Sequence, residues 1–316
     1  MPTKTIDAVD PIIMRLRVVA EFSPDLVEMA RVYEILLPIV RDADVHPSII
    51  SLTLEQVRAK LESGLPLLYK TEISWDDQAA VDLMMRLAQG LETMRVETKS
   101  AHKFPWLRNP QSNEPTPSPE SLRRAQAAGQ IRLALEDGKI TGDDLLCAMM
   151  SDQDHLTDLA EYCQLDPNLL QTLAQHTFKP ALRTWRRQLE PLAQGIDWQR
   201  EYCWVCGSPA MLGELRDNGQ SKYLRCGQCG ADWSGLRMQC VYCGNQAQDT
   251  FGYLYPENQR DTRSVRIEAC DQCGGYLKVI STFSPTAVDL LSVEDLATLH
   301  LDFIAQQRGY ARTKLR

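Results

Sequence analysis

Eight of the ten cysteines in this 316-residue chain fall in its last third, as four knuckles of one pattern. They read Cys203-Trp-Val-Cys206-Gly207, Cys226-Gly-Gln-Cys229-Gly230, Cys240-Val-Tyr-Cys243-Gly244 and Cys270-Asp-Gln-Cys273-Gly274. Two intervening residues let both sulfurs of a knuckle face one ion, with the backbone N–H groups of the turn pointing at them. The following glycine supplies the φ > 0 conformation that closes the turn. Four soft thiolates in a tetrahedron suit zinc or iron, so eight imply two metal ions in a reduced compartment. A disulfide framework belongs to small secreted chains, whereas this one is long and opens without a charged-then-apolar leader. A thioredoxin-like pair needs one knuckle at a helix start, not four.

The chain repeats itself here. Knuckles one and three share the frame C-x-x-C-G followed by Ser or Asn, and knuckles two and four both read C-x-Q-C-G. An odd knuckle followed by an even one is the duplicated unit. Its spacers are 19 residues (Cys206 to Cys226) and 26 residues (Cys243 to Cys270), each long enough for a hairpin. Met211-Leu212 and Tyr223-Leu224 flank the turn signal Asp217-Asn218-Gly219. Phe251–Tyr255 and the alternating Val265–Ala269 flank the polar turn around Pro256-Glu257-Asn258. The interleaved pairing, first with third and second with fourth, stays open at this level.

The elements that must carry these ribbons read as helices. Ser23-Pro24-Asp25 starts one, followed by Leu26, Met29, Ala30, Tyr33 and Leu37 at helical spacing. Thr53-Leu-Glu-Gln56 is a capping box with Gly64 as a stop. Ser74-Trp-Asp-Asp77 opens a helix to Gly90; segments 120–136, 141–150, 153–163 and 166–175 continue the pattern; a last helix runs from about Pro180 to Leu192. Five prolines in Phe104–Pro119 forbid regular structure there. Near the C-terminus, Ser292-Val-Glu-Asp295 predicts the start of one helix to Arg308, stopped by Gly309, with Leu296, Leu299, Phe303 and Ile304 on its apolar face. The fold class is therefore α+β. A helical domain (1–195) precedes two tandem zinc-ribbon or rubredoxin-like four-cysteine modules (196–238 and 239–283) and a C-terminal helix (284–316).

Catalytic patterns are thin. His46, His102, His155, His176 and His300 are scattered, and Cys147 and Cys163 sit in apolar helical surroundings as small core residues. There is no phosphate loop, nucleophile elbow or dinucleotide fingerprint. Closed sites of four thiolates leave no position for a catalytic water, so the expectation is that this is not an enzyme. No run approaches the roughly 20 apolar residues of a membrane helix, so no membrane insertion is expected, and the opening without a charged-then-apolar leader predicts a cytoplasmic protein. Over 196–283 there are nine Lys and Arg against ten Asp and Glu, and thiolate sites add negative charge. That is a poor footprint for a phosphate backbone and argues against nucleic acid.

Three runs carry a more specific signal: Lys222–Trp233, Arg237–Cys243 and Glu268–Lys278. Gln199–Ser208 joins them ahead of the first ribbon, and Asp295-Leu-Ala-Thr-Leu with Gly309-Tyr-Ala-Arg312 follows. Over about residues 180–312 the chain resembles the FdhE family, the accessory proteins needed for formate dehydrogenase activity. The resemblance implies a cytoplasmic maturation factor that contacts the catalytic subunit of formate dehydrogenase and carries two rubredoxin-like sites. Iron is favoured over zinc, a redox role is open to it, and a homodimer is compatible. One ion would be held by Cys203, Cys206, Cys226 and Cys229, the other by Cys240, Cys243, Cys270 and Cys273. Tyr202, Trp204, Trp233 and Tyr242 would shield the sulfurs. The competing reading is a zinc-ribbon scaffold or a nucleic-acid-associated protein with structural metals.

Overall fold

The computed structural model describes residues 10–45, 47–73, 75–94, 118–150, 153–217, 221–255 and 265–312. His46, His102, most of the proline-rich stretch and the tips of both predicted hairpins lie outside them. The chain forms two compact units. One comprises Leu16–Ala43 and Asp76–Phe178; the other comprises the described residues of Met1–Arg15, Asp44–Trp75 and Lys179–Arg316.

The helices run α1 (Pro11–Phe22), α2 (Val27–Arg41), α3 (Leu54–Glu62), α4 (Asp77–Glu92), α5 (Pro119–Glu136), α6 (Gly142–Met150), α7 (Gln153–Cys163) and α8 (Pro167–Leu189). In the first unit α4 packs on α2 and α5. It buries Ala80, Leu83, Met84, Leu87, Ala88 and Leu91, an apolar stripe at i, i+3, i+4, i+7 spacing. Asp76 caps it, accepting from Ala79 N at 3.0 Å. Gly90 lies inside α4 rather than ending it: a Cβ there would stand 2.7 Å from Ile35 Cγ2, so the missing side chain lets α2 approach. Cys163 is half-buried at the end of α7, not in a core. The side chain of Cys147 lies outside the described residues.

In the second unit the capping box of α3 forms as predicted. Thr53 Oγ1 accepts from Gln56 N at 3.2 Å, and Gln56 Oε1 accepts from Thr53 N at 2.8 Å. Thr53→Ala is expected to cost about 1 kcal/mol, read by denaturant titration; an unchanged midpoint would show that the cap contributes nothing. The two helices expected on either side of Pro180 are one. Pro180 sits within α8, and Trp185 beyond it is fully buried, donating to Ser48 O at 2.9 Å. Burial of the apolar face outweighs the one backbone bond that proline removes.

Six strands follow: β1 (Ala210–Arg216), β2 (Ser221–Cys226), β3 (Asp232–Gly235), β4 (Phe251–Leu254), β5 (Val265–Cys270) and β6 (Tyr276–Ser281). The predicted hairpins are β1–β2 and β4–β5, and each gains a third antiparallel strand. The two ribbons share one sheet of order β3-β2-β1-β6-β5-β4, joined where β1 runs parallel to β6 through Gly213↔Val279 to Leu215↔Ser281.

Charged residues are buried at that joint. Glu214, wholly enclosed, accepts from Arg225 at 2.8 Å, from Arg216 at 2.6 Å and from Thr286 N at 3.1 Å. Lys222 of the first ribbon pairs with Glu268 of the second.

The single C-terminal helix expected is two, α9 (Leu291–Ala297) and α10 (Leu299–Gln307). Ser292 is no cap; it is buried and accepts from Lys179 Nζ at 3.0 Å. The break at Thr298 shifts the helical phase, so Leu301 and Ala305 pack on Ile267, Ala269 and Tyr276 of the second ribbon while Phe303 is 58% exposed. Buried Lys278 fixes this docking through Asp302 at 2.7 Å and Asp295 at 2.8 Å.

Candidate metal centres

Each knuckle turns at a strand boundary. The first lies ahead of β1 and the second joins β2 to β3; the third lies ahead of β4 and the fourth joins β5 to β6. In every knuckle the glycine N–H donates to the first cysteine's carbonyl at 2.9–3.1 Å. All four glycines have φ between +67° and +78°, the left-handed region that glycine enters without a Cβ penalty.

The ribbons bring the sulfurs together in two fours. Cys203, Cys206, Cys226 and Cys229 form one cluster, and Cys240, Cys243, Cys270 and Cys273 form the other; within each, the ligand atoms lie within 4.8 Å of one another. The interleaved pairing is therefore not the one adopted. Sulfur–sulfur separations include 3.4 Å (Cys203–Cys229), 3.6 Å (Cys206–Cys226), 3.9 Å (Cys206–Cys229), 3.7 Å (Cys240–Cys273) and 3.6 Å (Cys243–Cys270). A tetrahedron with metal–sulfur bonds of about 2.3 Å has edges of about 3.8 Å. These cysteines are free and too far apart for disulfides. The donor set thus fits an ion bound by four sulfurs at both places, and the same tetrahedron accepts iron or zinc.

The surroundings of the two clusters differ. In the first, Cys203, Cys226 and Cys229 are fully buried. The segment before β1 is clamped by backbone bonds from Leu67 N to Trp204 O (2.8 Å) and from Leu68 N to Val205 O (2.9 Å). Pro66 covers Gly207, and Val288 presses on Gly230 so closely that a Cβ would meet its Cγ1 at 2.5 Å. Two cations stand near, Lys179 buried and Arg183 half-buried. Lys179 has its pKa pushed down to about 8 by burial and by Arg183, against the pull of Asp295 and Cys226. Arg183 bonds Asp289 at 2.5 Å and feels the charge of Cys229. Burial drives the Cys203 and Cys229 thiols well up. Hydrogen bonds from Cys203, Cys226 and Cys229 drive Cys206 well down.

In the second cluster Cys240 and Cys270 are buried while Cys243 and Cys273 are exposed. Burial raises the Cys240 thiol. At Cys270 burial acts upward too, but bonds from Asn245 Nδ2 (3.4 Å) and from backbone N–H groups bring it to about 7. Nothing lies within 4 Å of a Cβ at Gly274. A cleft of about 320 Å³ opens beside this cluster, touching Cys240, Tyr242, Cys243, Arg200, Lys222 and Gln239.

The aromatic residues singled out in the sequence hold knuckle backbone. Tyr202 donates to Gly64 O (2.7 Å), Trp204 to Asp232 O (3.2 Å), Trp233 to Arg200 O (2.9 Å) and Tyr242 to Tyr276 O (3.2 Å). Among the described residues, histidines join neither cluster: His155 faces Asp144 at 3.5 Å, His176 Nδ1 lies 3.0 Å from Thr172 O, and His300 is half-buried on α10. Sequence reasoning missed the clamp at Pro66–Leu68, the cations Lys179 and Arg183, and Asn245. Only Asn245, two residues past Cys243, could have been suspected from position.

Fold and site define a class: a helical protein bearing a fused pair of four-cysteine ribbons. The family model "FdhE, C-terminal domain" matches residues 238–316. An FdhE homolog of Aquifex aeolicus is 30% identical over 120 residues, covering 37% of this chain and 41% of that protein. One of Pseudomonas aeruginosa is 28% identical over 273 residues, covering 85% and 76%. The crystal structure of FdhE from Pseudomonas aeruginosa superposes with a TM-score of 0.60 at 22% identity, over 96% of this chain and 92% of that one, which shows a shared fold. The resemblance to the FdhE family is thus shown, and residues 238–316 match the model of that family's C-terminal domain.

Proposed function

We propose that this chain is a cytoplasmic accessory protein of formate dehydrogenase that binds the enzyme's catalytic subunit during maturation. The observation that carries this is the pair of complete four-cysteine clusters within a chain that matches FdhE. Cys203, Cys206, Cys226 and Cys229 hold one ion, and Cys240, Cys243, Cys270 and Cys273 the other, with iron favoured. Bound iron would supply one-electron chemistry without change of ligands. The protein's own part is to hold four thiolates at tetrahedral spacing, donate N–H bonds to them and exclude water from the first site. The client would be bound through the helical domain of 1–195 together with the two four-cysteine ribbons. No helix among the described residues is long and apolar enough to cross a membrane.

The test is affinity capture. The full chain, tagged and carrying its metals, should retain the catalytic subunit of formate dehydrogenase from cells that make it. Cells lacking the chain should lose formate-dependent dye reduction. A folded, metal-loaded chain that captures no such subunit, in cells whose activity does not depend on it, would overturn the proposal.

A further inference from the structure

We infer that the two clusters have different jobs: the first is a permanent site, and the second exchanges its ion with small anionic thiols that enter the adjoining cleft and displace Cys243. The inference rests on the reading that both clusters hold metal.

The contrast is built into the fold. An attacking ligand must reach the ion or a departing sulfur. At the first cluster three sulfurs are fully buried, and Pro66 and Val288 close over the knuckle glycines. Lys179 and Arg183, held by Ser292 and Asp289, stand near enough to feel the charge of Cys226 and Cys229. Only Cys206 is half-buried there; loss of any of the other three ligands breaks a packed interior. At the second cluster Cys243 and Cys273 face solvent, so either can leave the ion without opening the core formed by Cys240, Phe251 and Cys270.

The cleft fits the incoming group. Its volume of about 320 Å³ is at the small-molecule end of ligand sites. Cys243 and Arg200 both line it, placing a thiolate target and a basic residue around one small space. A small thiol with a carboxylate meets both. The incoming sulfur bonds the ion as the Cys243 sulfur leaves, and the thiol proton passes to the released Cys243. Oxidation states do not change.

Glutathione is the probe. The full chain, loaded with zinc at both clusters, is mixed with glutathione and a chromogenic zinc indicator. Release should occur in two phases of one ion each, separated by about tenfold or more in rate. Iodoacetamide labelling during the fast phase should mark Cys243 and Cys273 and spare Cys203, Cys226 and Cys229. Cys243→Ser should abolish the fast phase and leave the slow one with an unchanged circular dichroism spectrum. Arg200→Gln should slow the fast phase with glutathione but not with neutral mercaptoethanol, which also serves where Cys243→Ser does not fold. A single phase for both ions, first labelling at Cys203, Cys226 or Cys229, or indifference to Arg200→Gln would overturn the inference. A chain that cannot hold two ions would instead overturn the reading beneath it.

Discussion

Removing the ion from the first cluster, or replacing Cys226 with serine, is expected to unfold the sheet-bearing unit. Cys203, Cys226 and Cys229 are themselves core residues of the knuckles that precede β1 and join β2 to β3, and the clamp from Leu67 and Leu68 closes on the first of these knuckles. Without an ion the cluster leaves three enclosed sulfurs, those of Cys203, Cys226 and Cys229, without their shared partner. A structural zinc contributes about 10–16 kcal/mol of apparent binding free energy, comparable with the whole stability of a domain at about 5–15 kcal/mol. Chelation should therefore erase the cooperative melting transition of this unit and the near-ultraviolet signal of Trp204 and Trp233. Ligand thiols must lose their protons to bind metal, so retention should weaken as pH falls. A stripped chain that melts at the same temperature would show that packing alone holds the ribbons.

Glu214→Ala is the second large effect. This carboxylate is fully buried between Arg216 and Arg225 and also accepts from Thr286 N. Its loss leaves two enclosed guanidinium groups without their shared partner. Breaking a buried pair from one side costs about 3–5 kcal/mol, or a fall in melting temperature of roughly 10 °C for a unit of this size. Glu120→Ala removes an exposed partner of Arg124 and should cost less than about 1 kcal/mol. Calorimetry on both variants reads the contrast. Equal, small shifts would mean that water reaches Glu214 and that the network contributes little.

How much was legible follows from the range of each interaction. The knuckles were, because ligand spacing and the glycine requirement are local. The β1–β2 and β4–β5 hairpins were, because alternation is local. The parallel β1–β6 joint was not: Gly213 and Val279 meet only through tertiary packing. Glu214, Arg225 and Lys222 read as ordinary solvated charges on strands, and only their mutual burial makes them a network. Pro180 looked like a helix boundary because the local rule disfavours proline inside a helix, yet the packing of Trp185 kept α8 intact. The break at Thr298 was masked by apolar residues on both sides. The unequal exposure of the clusters was invisible, since the cover of the first comes from Pro66–Leu68 and Val288, both distant in sequence.

The most direct test of the central claim is metal content with visible absorbance on the full chain purified without added metal and without oxygen, then exposed to air. The account predicts two ions per chain at the two clusters, with thiolate-to-iron bands that bleach on reduction where the ions are iron. A folded chain carrying less than one ion, with its knuckle cysteines titrating as free thiols, would contradict it.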